Sequence, residues 1–398
     1  MHPLVKVTER TKQFSKFRWV GLVKSDGVIR YKAGSPIIPS SWEELEELIG
    51  VFSPRSLEVS SSKYDQRTLS DPHASDLVAS YDCFDPRSCT LVSSKLLEAV
   101  RKAGVEPWFI YNGERMFSIV SWRCYEFERL RRVTPSYIMR KLIEAAGLSR
   151  YEVLVIEKFL PMPYSLHAKL NLVNVPIGPW EVSDLSPRRT SPEGPKGSDE
   201  AIDYCKGDLN DYVNGLEGDV PQNPSHPGRF PVMGLLQAVR YYILTGDLME
   251  ALSFGLNRAI FYAWLKYHYN PSRMRRPKGY SEEELKRVER LAPLGPLKDK
   301  APRRGKWFEL GGEVQRPDDF FKQVARKFEY SGIPFEIAWD RAFEYVSAFP
   351  EHVLRDPNYF FKYVYEPVRD DFLTVYWKRA RPKLPPIHKY RSLFDFKK

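Results

Sequence analysis

Cysteine is scarce in this 398-residue chain, which has four: Cys83, Cys89, Cys124 and Cys205. None forms a Cys-x-x-Cys pair, and none stands at zinc-ligand spacing from a histidine. The sequence therefore predicts no structural zinc and no disulfide framework. Four free thiols would suit a reducing cytosol. Long apolar runs are also missing. The most apolar stretch, residues 248–265, is interrupted by Glu250, Asn257 and Arg258, which marks a buried helix and not a membrane span. Residues 1–19 are polar and basic with no apolar run, so no secretory signal is expected and the protein reads as cytoplasmic, with no membrane partner. There is no phosphate-binding Gly-rich loop, dinucleotide fingerprint, nucleophile elbow or His-Glu-x-x-His pair, which argues against most common enzyme classes.

What is present is a foldable, basic chain. Hydrophobic residues make up 42% and aromatics 14%, enough for a sizeable core. The net charge of +10 concerns partners and not fold: nucleic acid, an acidic protein or an anionic surface. A merely solvated basic surface fits the same number.

Patterning divides the chain in three. Residues 1–182 read as mixed α/β. A Lys24-Ser25-Asp26-Gly27 turn splits a strand pair, and Ser41 caps a helix with an acidic first turn. Leu57 to Ser61 and Asp76 to Tyr81 are strands, the second with the continuous apolar run of a buried one. A helix follows from Leu91 to Ala103. Asn112-Gly113 then joins two strands in a hairpin, and a helix runs from Val133 to Ala146. Tyr151 to Ile156 and Leu170 to Val175 are again strand-like. Residues 183–230, rich in Pro, Gly, Ser and Asp, predict a linker or irregular insertion. Residues 231–398 show helical periodicity, with helices expected over 235–244, 248–267, 281–291, 317–330, 335–348 and 358–363. Two basic loops interrupt them: Arg273, Arg275, Arg276 and Lys278, then Lys298, Lys300, Arg303, Arg304 and Lys306. Tyr267, His268 and Tyr269 stand beside the first, where aromatics either pack or stack on unpaired bases. The last 21 residues carry eight Lys or Arg against one acidic residue, a flexible electrostatic arm or a solubilising tail.

Four segments, in order, carry a resemblance. The first runs from Trp42-Glu43-Glu44-Leu45 through Ser53 to Tyr64. The second is Asp76-Leu77-Val78-Ala79-Ser80-Tyr81-Asp82-Cys83-Phe84-Asp85. The third is the hairpin from Tyr111 to Val120, with Gly113, Arg115 and Ser118. The fourth, and most specific, is Pro163-Tyr164-Ser165-Leu166-His167-Ala168-Lys169. Together they resemble the catalytic (small) subunit of archaeal and eukaryotic-type DNA primases over residues 10–185. That resemblance implies an α/β (α+β) first domain with a mixed, mostly antiparallel sheet flanked by helices, followed by a helical domain. It also implies a role in DNA replication, with single-stranded template DNA, nucleotides and another replication subunit as partners.

Nucleotidyl transfer needs carboxylates to hold two divalent metals, Mg²⁺ or Mn²⁺, and cationic donors for the triphosphate. Carboxylates at i and i+2 of one strand share a face. In the resemblance, Ser80 falls where the first metal carboxylate belongs, and Asp82 where the second does. Val155 falls at the third, which cannot ligate. A bulge that turned Asp82 and Asp85 to one face, with Glu157 in place of Val155, would restore a metal site. Equally, Asp82 and Asp85 cap a strand end before Pro86, and Glu157 is an ordinary surface residue. The triphosphate-binding histidine of the hairpin is Ser118 here. Arg115, Ser165, His167 and Lys169 remain as candidate phosphate contacts, while Arg273, Arg275, Arg276, Lys278, Arg303 and Arg304 are candidates for nucleic acid. Three readings follow: a divergent or catalytically degenerate primase-superfamily protein, a nucleic-acid-binding module without nucleotide chemistry, and an assembly subunit of a replication complex.

Overall fold

In a computed structural model, the structure describes residues 2–65, 69, 72–269, 303–304, 307–310 and 313–377. The fold is mixed α/β, with antiparallel sheets flanked by helices and a helical C-terminal region. Helix α1 (Glu9–Ser15) leads into β1 (Arg18–Lys24) and β2 (Gly27–Ile29), joined by the Ser-Asp-Gly turn. A small ribbon, β3 (Tyr31–Lys32) with β4 (Ser35–Pro36), precedes α2 (Trp42–Phe52), whose first turn is capped by Ser41. Then come β5 (Ser56–Tyr64), β6 (Pro72–Ser75), β7 (Leu77–Asp82) and α3 (Pro86–Lys102). The hairpin β8 (Trp108–Tyr111) and β9 (Arg115–Val120) turns at Gly113, at φ +89°, and the Asn112 side chain accepts from the amides of Glu114 and Arg115. Helix α4 (Pro135–Ala145), β10 (Phe159–Pro161) and β11 (Val175–Ile177) complete this part.

Two sheets form the framework. One has the order β10-β5-β1-β2, with β6 also on β5, and the other β11-β8-β9-β7. Residues 151–156 do not form a strand, contrary to the sequence pattern. Only Leu154 pairs, with Ser80 of β7, before Ser61 of β5 donates to the carbonyl of Lys158. The segment passes from one sheet to the other. Val153, Val155 and Ile156 are buried without strand pairing, and a short buried apolar run looks like a strand in sequence.

Residues 183–230 pack on this framework through buried Ala201, Ile202, Leu209, Val213 and Val220 and contain α5 (Asn210–Leu216). Helix α6 (Arg229–Thr245) is buried from Pro231 to Ile243 and packs against α7 (Leu248–Tyr269). Residues 317–330 are helical as expected, with a π-helical turn at Phe321–Ala325. Helix α8 (Phe335–Ser347) packs on α6 and α4. Buried ion pairs join the helices to the sheets. Lys158 meets Asp340 at 2.6 Å and donates to Ser136, and Arg140 meets Glu336 at 3.1 Å. The phenol of Tyr242 accepts from the amides of Lys158 and Phe159. Among the described residues, no helix is long and apolar enough to cross a membrane.

The expectation of free cysteines is overturned. Cys83 is disulfide-bonded to Cys89 and Cys124 to Cys205, with Cα separations of 4.9 and 5.6 Å. The second bridge spans 81 residues and ties the irregular insertion to the framework. Sequence spacing does not show which thiols a fold brings together, and the case for a reducing compartment loses its premise.

Candidate functional site

The site forms where the crossing segment passes the free end of β7. In the antiparallel pair β7–β9, Asp82 lies opposite Arg115 and Ser80 opposite Phe117, so these four side chains share one face. Arg115 is the hub. Its Nη1 meets Glu157 Oε1 at 2.7 Å, its Nη2 donates to Ser80 Oγ at 2.8 Å, and its Nε stands 3.8 Å from Asp82 Oδ1. The guanidinium also lies over the Phe117 ring, 5.3 Å from its centroid. Burial pulls the Arg115 pKa down, but the charge and hydrogen bond of Glu157, with Asp82 adding to them, shift it upward on balance. Glu157 is buried, and its Oε2 has no hydrogen-bond partner among the described residues. Asp82, by contrast, keeps 71% of its side chain exposed.

The sequence pattern put Asp82, Arg115 and Glu157 in one site, and the structure brings them together. It places Asp85 otherwise. Asp85 is the N-cap of α3, accepting from the amides of Arg87 and Ser88 and from the Ser88 hydroxyl. The Ser88 hydroxyl first, then these amides, hold its carboxyl below the usual range.

Ser118 lies three residues beyond Arg115 on a regular strand and so faces the other side of the sheet. It is buried opposite Ala79 and Phe109, and its hydroxyl has no hydrogen-bond partner among the described residues. Ser165 is buried as well. Its hydroxyl donates to the carbonyls of Met162 and Leu57 and accepts from Asn174, which fixes the turn. Its neighbour Tyr164 takes φ +62°, a left-handed conformation that ordinarily favours glycine. Full burial and a hydrogen bond from its hydroxyl to Asp199 hold it there.

His167 and Lys169 flank the hairpin turn. A Cβ on Gly113 would come within 2.8 Å of Leu172, so turn and segment are in close contact. His167 Nδ1 accepts from the amides of Lys169 and Leu170, which leaves Nε2 as the N–H donor of the neutral ring. Burial lowers its pKa, and Lys169 and Arg115 lower it further against the opposing charge of Glu114. Lys169 is exposed.

Sequence reasoning missed a second ion pair behind Glu157, that of Arg30 with Glu58. Burial raises the Glu58 pKa, Arg30 opposes this, and the charge of Glu157 adds to it. Arg30 also donates to the carbonyl of Ile243 and lies 3.7 Å from the Phe159 ring centroid. The one available signal was Gly21 on β1. Its Cβ would fall 2.4 Å from a Glu58 oxygen across the β1–β5 ladder.

Arg273, Arg275, Arg276, Lys278, Lys298, Lys300, Lys306, the helix expected over 281–291 and the tail after residue 377 lie outside the described residues. So do the side chains of Tyr267, His268 and Tyr269. Arg303 and Arg304 form a short strand, β12 (Arg303–Arg304), paired with β13 (Trp307–Leu310).

No family model matches this chain, and no curated protein matches it. Among solved structures, the polymerase domain of Mycobacterium tuberculosis ligase D in complex with DNA is similar at a TM-score of 0.31 and 13% identity. That match covers 52% of this chain and 83% of that domain.

Proposed function

We propose that this is a primase-like protein that binds single-stranded nucleic acid and has lost two-metal nucleotidyl transfer, acting as an accessory component of DNA replication. One observation carries this reading: the guanidinium of Arg115 occupies the space between Ser80, Asp82 and Glu157. In a two-metal site, that space belongs to divalent cations held by three carboxylates. Here a hydroxyl stands in for one carboxylate, and Glu157 is already neutralised by an internal cation at 2.7 Å. Among the described residues, no group of three or more His, Cys, Asp or Glu could hold a metal ion. The residues present do not fit Mg²⁺ or Mn²⁺.

Binding is supported by different features. The chain carries a net charge of +10. The Nε2–H of His167 and the exposed ammonium of Lys169 are donors suited to phosphate oxygens beside the hairpin turn. Contacts of this type make binding fall with salt.

The test is primer synthesis and extension on single-stranded DNA with Mn²⁺ and labelled nucleotides, run beside a binding titration. The expected result is salt-sensitive binding with no incorporation. Incorporation by the native chain that disappears in both Asp82→Ala and Glu157→Gln would overturn the reading.

A further inference from the structure

We infer that Phe84 is a stacking platform for one unpaired nucleobase at the mouth of the Arg115 site. This rests on the nucleic-acid reading above and adds the part of the ligand that is recognised. Phe84 follows β7 and immediately precedes Asp85, the N-cap of α3. An apolar residue at that position ordinarily folds back onto the fourth residue of the helix. Here that residue is Cys89, whose sulfur is bonded to Cys83. Phe84 is not folded back over it but stands 75% exposed.

The loop that holds it is fixed on both sides. Cys83 is buried, bridged to Cys89, and its amide donates to the carbonyl of Glu114 at 2.6 Å. Asp85 accepts three hydrogen bonds from the first turn of α3. An exposed aromatic ring on an immobilised backbone loses little conformational freedom when it binds.

The surroundings select the partner. Asp82 and Asp85 flank Phe84 in sequence, and both are exposed. They disfavour a phosphate directly on the ring, while a neutral base is tolerated and can donate its amino edge to a carboxylate. Exposed cations are also present: Arg87 on the first turn of α3, three residues after Phe84, and Lys169 in the segment beside the hairpin turn. An exposed flat ring beside acidic residues, with cations on neighbouring elements, suits the base and backbone of a single strand.

The experiment is an anisotropy titration of a labelled oligothymidylate with the full chain, at several salt concentrations. Native protein is compared with Phe84→Ala, Phe84→Leu and Phe84→Tyr. Loss of one base–aromatic stack predicts at least about fivefold weaker binding for Phe84→Ala and Phe84→Leu. The salt slope should be unchanged and Phe84→Tyr should bind as the native chain does. Because the ring is exposed, thermal unfolding should be the same in all variants. Equal binding by native and Phe84→Leu, or a loss that comes with a shallower salt slope, overturns the stacking role and leaves the nucleic-acid reading in place. No binding by the native chain overturns both.

Discussion

The two ends of β7 are built from the same parts and behave oppositely. Just before the strand, Asp76 faces Arg18 at 2.8 Å with both side chains fully buried. At its far end, Asp82 faces Arg115 at 3.8 Å with 71% of the carboxylate and 27% of the guanidinium exposed. Each end also has a disulfide. Cys124–Cys205 lies by the first, where Asp203 approaches Arg18 at 3.7 Å, and Cys83–Cys89 closes the second. The Arg18 guanidinium is held from several sides, its Nη2 by the ion pairs to Asp76 and Asp203. Its Nε donates to the carbonyl of Phe14 and its Nη1 to those of Ser60 and Ser61, while Asp76 accepts from the amide of Trp122. Burial pushes the Asp76 carboxyl up and Arg18 pulls it back, with burial the larger effect. Removing one partner of a pair sealed from water strands the other charge in the interior, whereas at a pair with an open side water can take the partner's place.

The largest expected effect comes from breaking the sealed end. Asp76→Ala leaves the Arg18 charge buried, and should lower the unfolding free energy by about 3–5 kcal/mol in a urea titration. Asp82→Ala should change it by no more than about 0.5 kcal/mol, as for other exposed positions. Equal losses at the two ends would erase the distinction.

The disulfides give a smaller contrast. In the chain-entropy view, the bridge spanning 81 residues constrains the unfolded chain more than the one spanning 6. Cys124→Ser should therefore cost about 2 kcal/mol more than Cys83→Ser, read from urea midpoints under non-reducing conditions.

The smallest effect is a pH dependence at the open end. The folded pKa of His167 lies below its ordinary value of 6.5. Between those two values the unfolded chain binds more protons, so stability rises with pH in that window and is lost as pH falls through the folded value. Urea midpoints compared at pH 5.5 and 7.5 should differ less in His167→Gln than in the native chain.

Much of the framework was legible in the sequence. Asn112-Gly113 specified the hairpin, because only a turn tolerant of positive φ fits there. Ser41 and the acidic residues after it specified the start of α2. The i, i+2 spacing of Ser80 and Asp82 put them on one face. What the sequence did not show were the partners at long range. Glu157 was picked out as a substitute metal ligand. The crossing segment instead delivers it to Arg115, a neighbour 42 residues away in sequence. Asp85 looked like a ligand because carboxylates near a strand end do. The start of α3 at Pro86, earlier than its apolar periodicity suggests, makes it a cap. By itself, then, the sequence determined the local elements and which residues could be charged, since backbone propensity and side-chain chemistry are local. Only the tertiary structure decided which charges meet, which thiols pair and which ring is left exposed, because those depend on contacts between segments that have no relation in sequence.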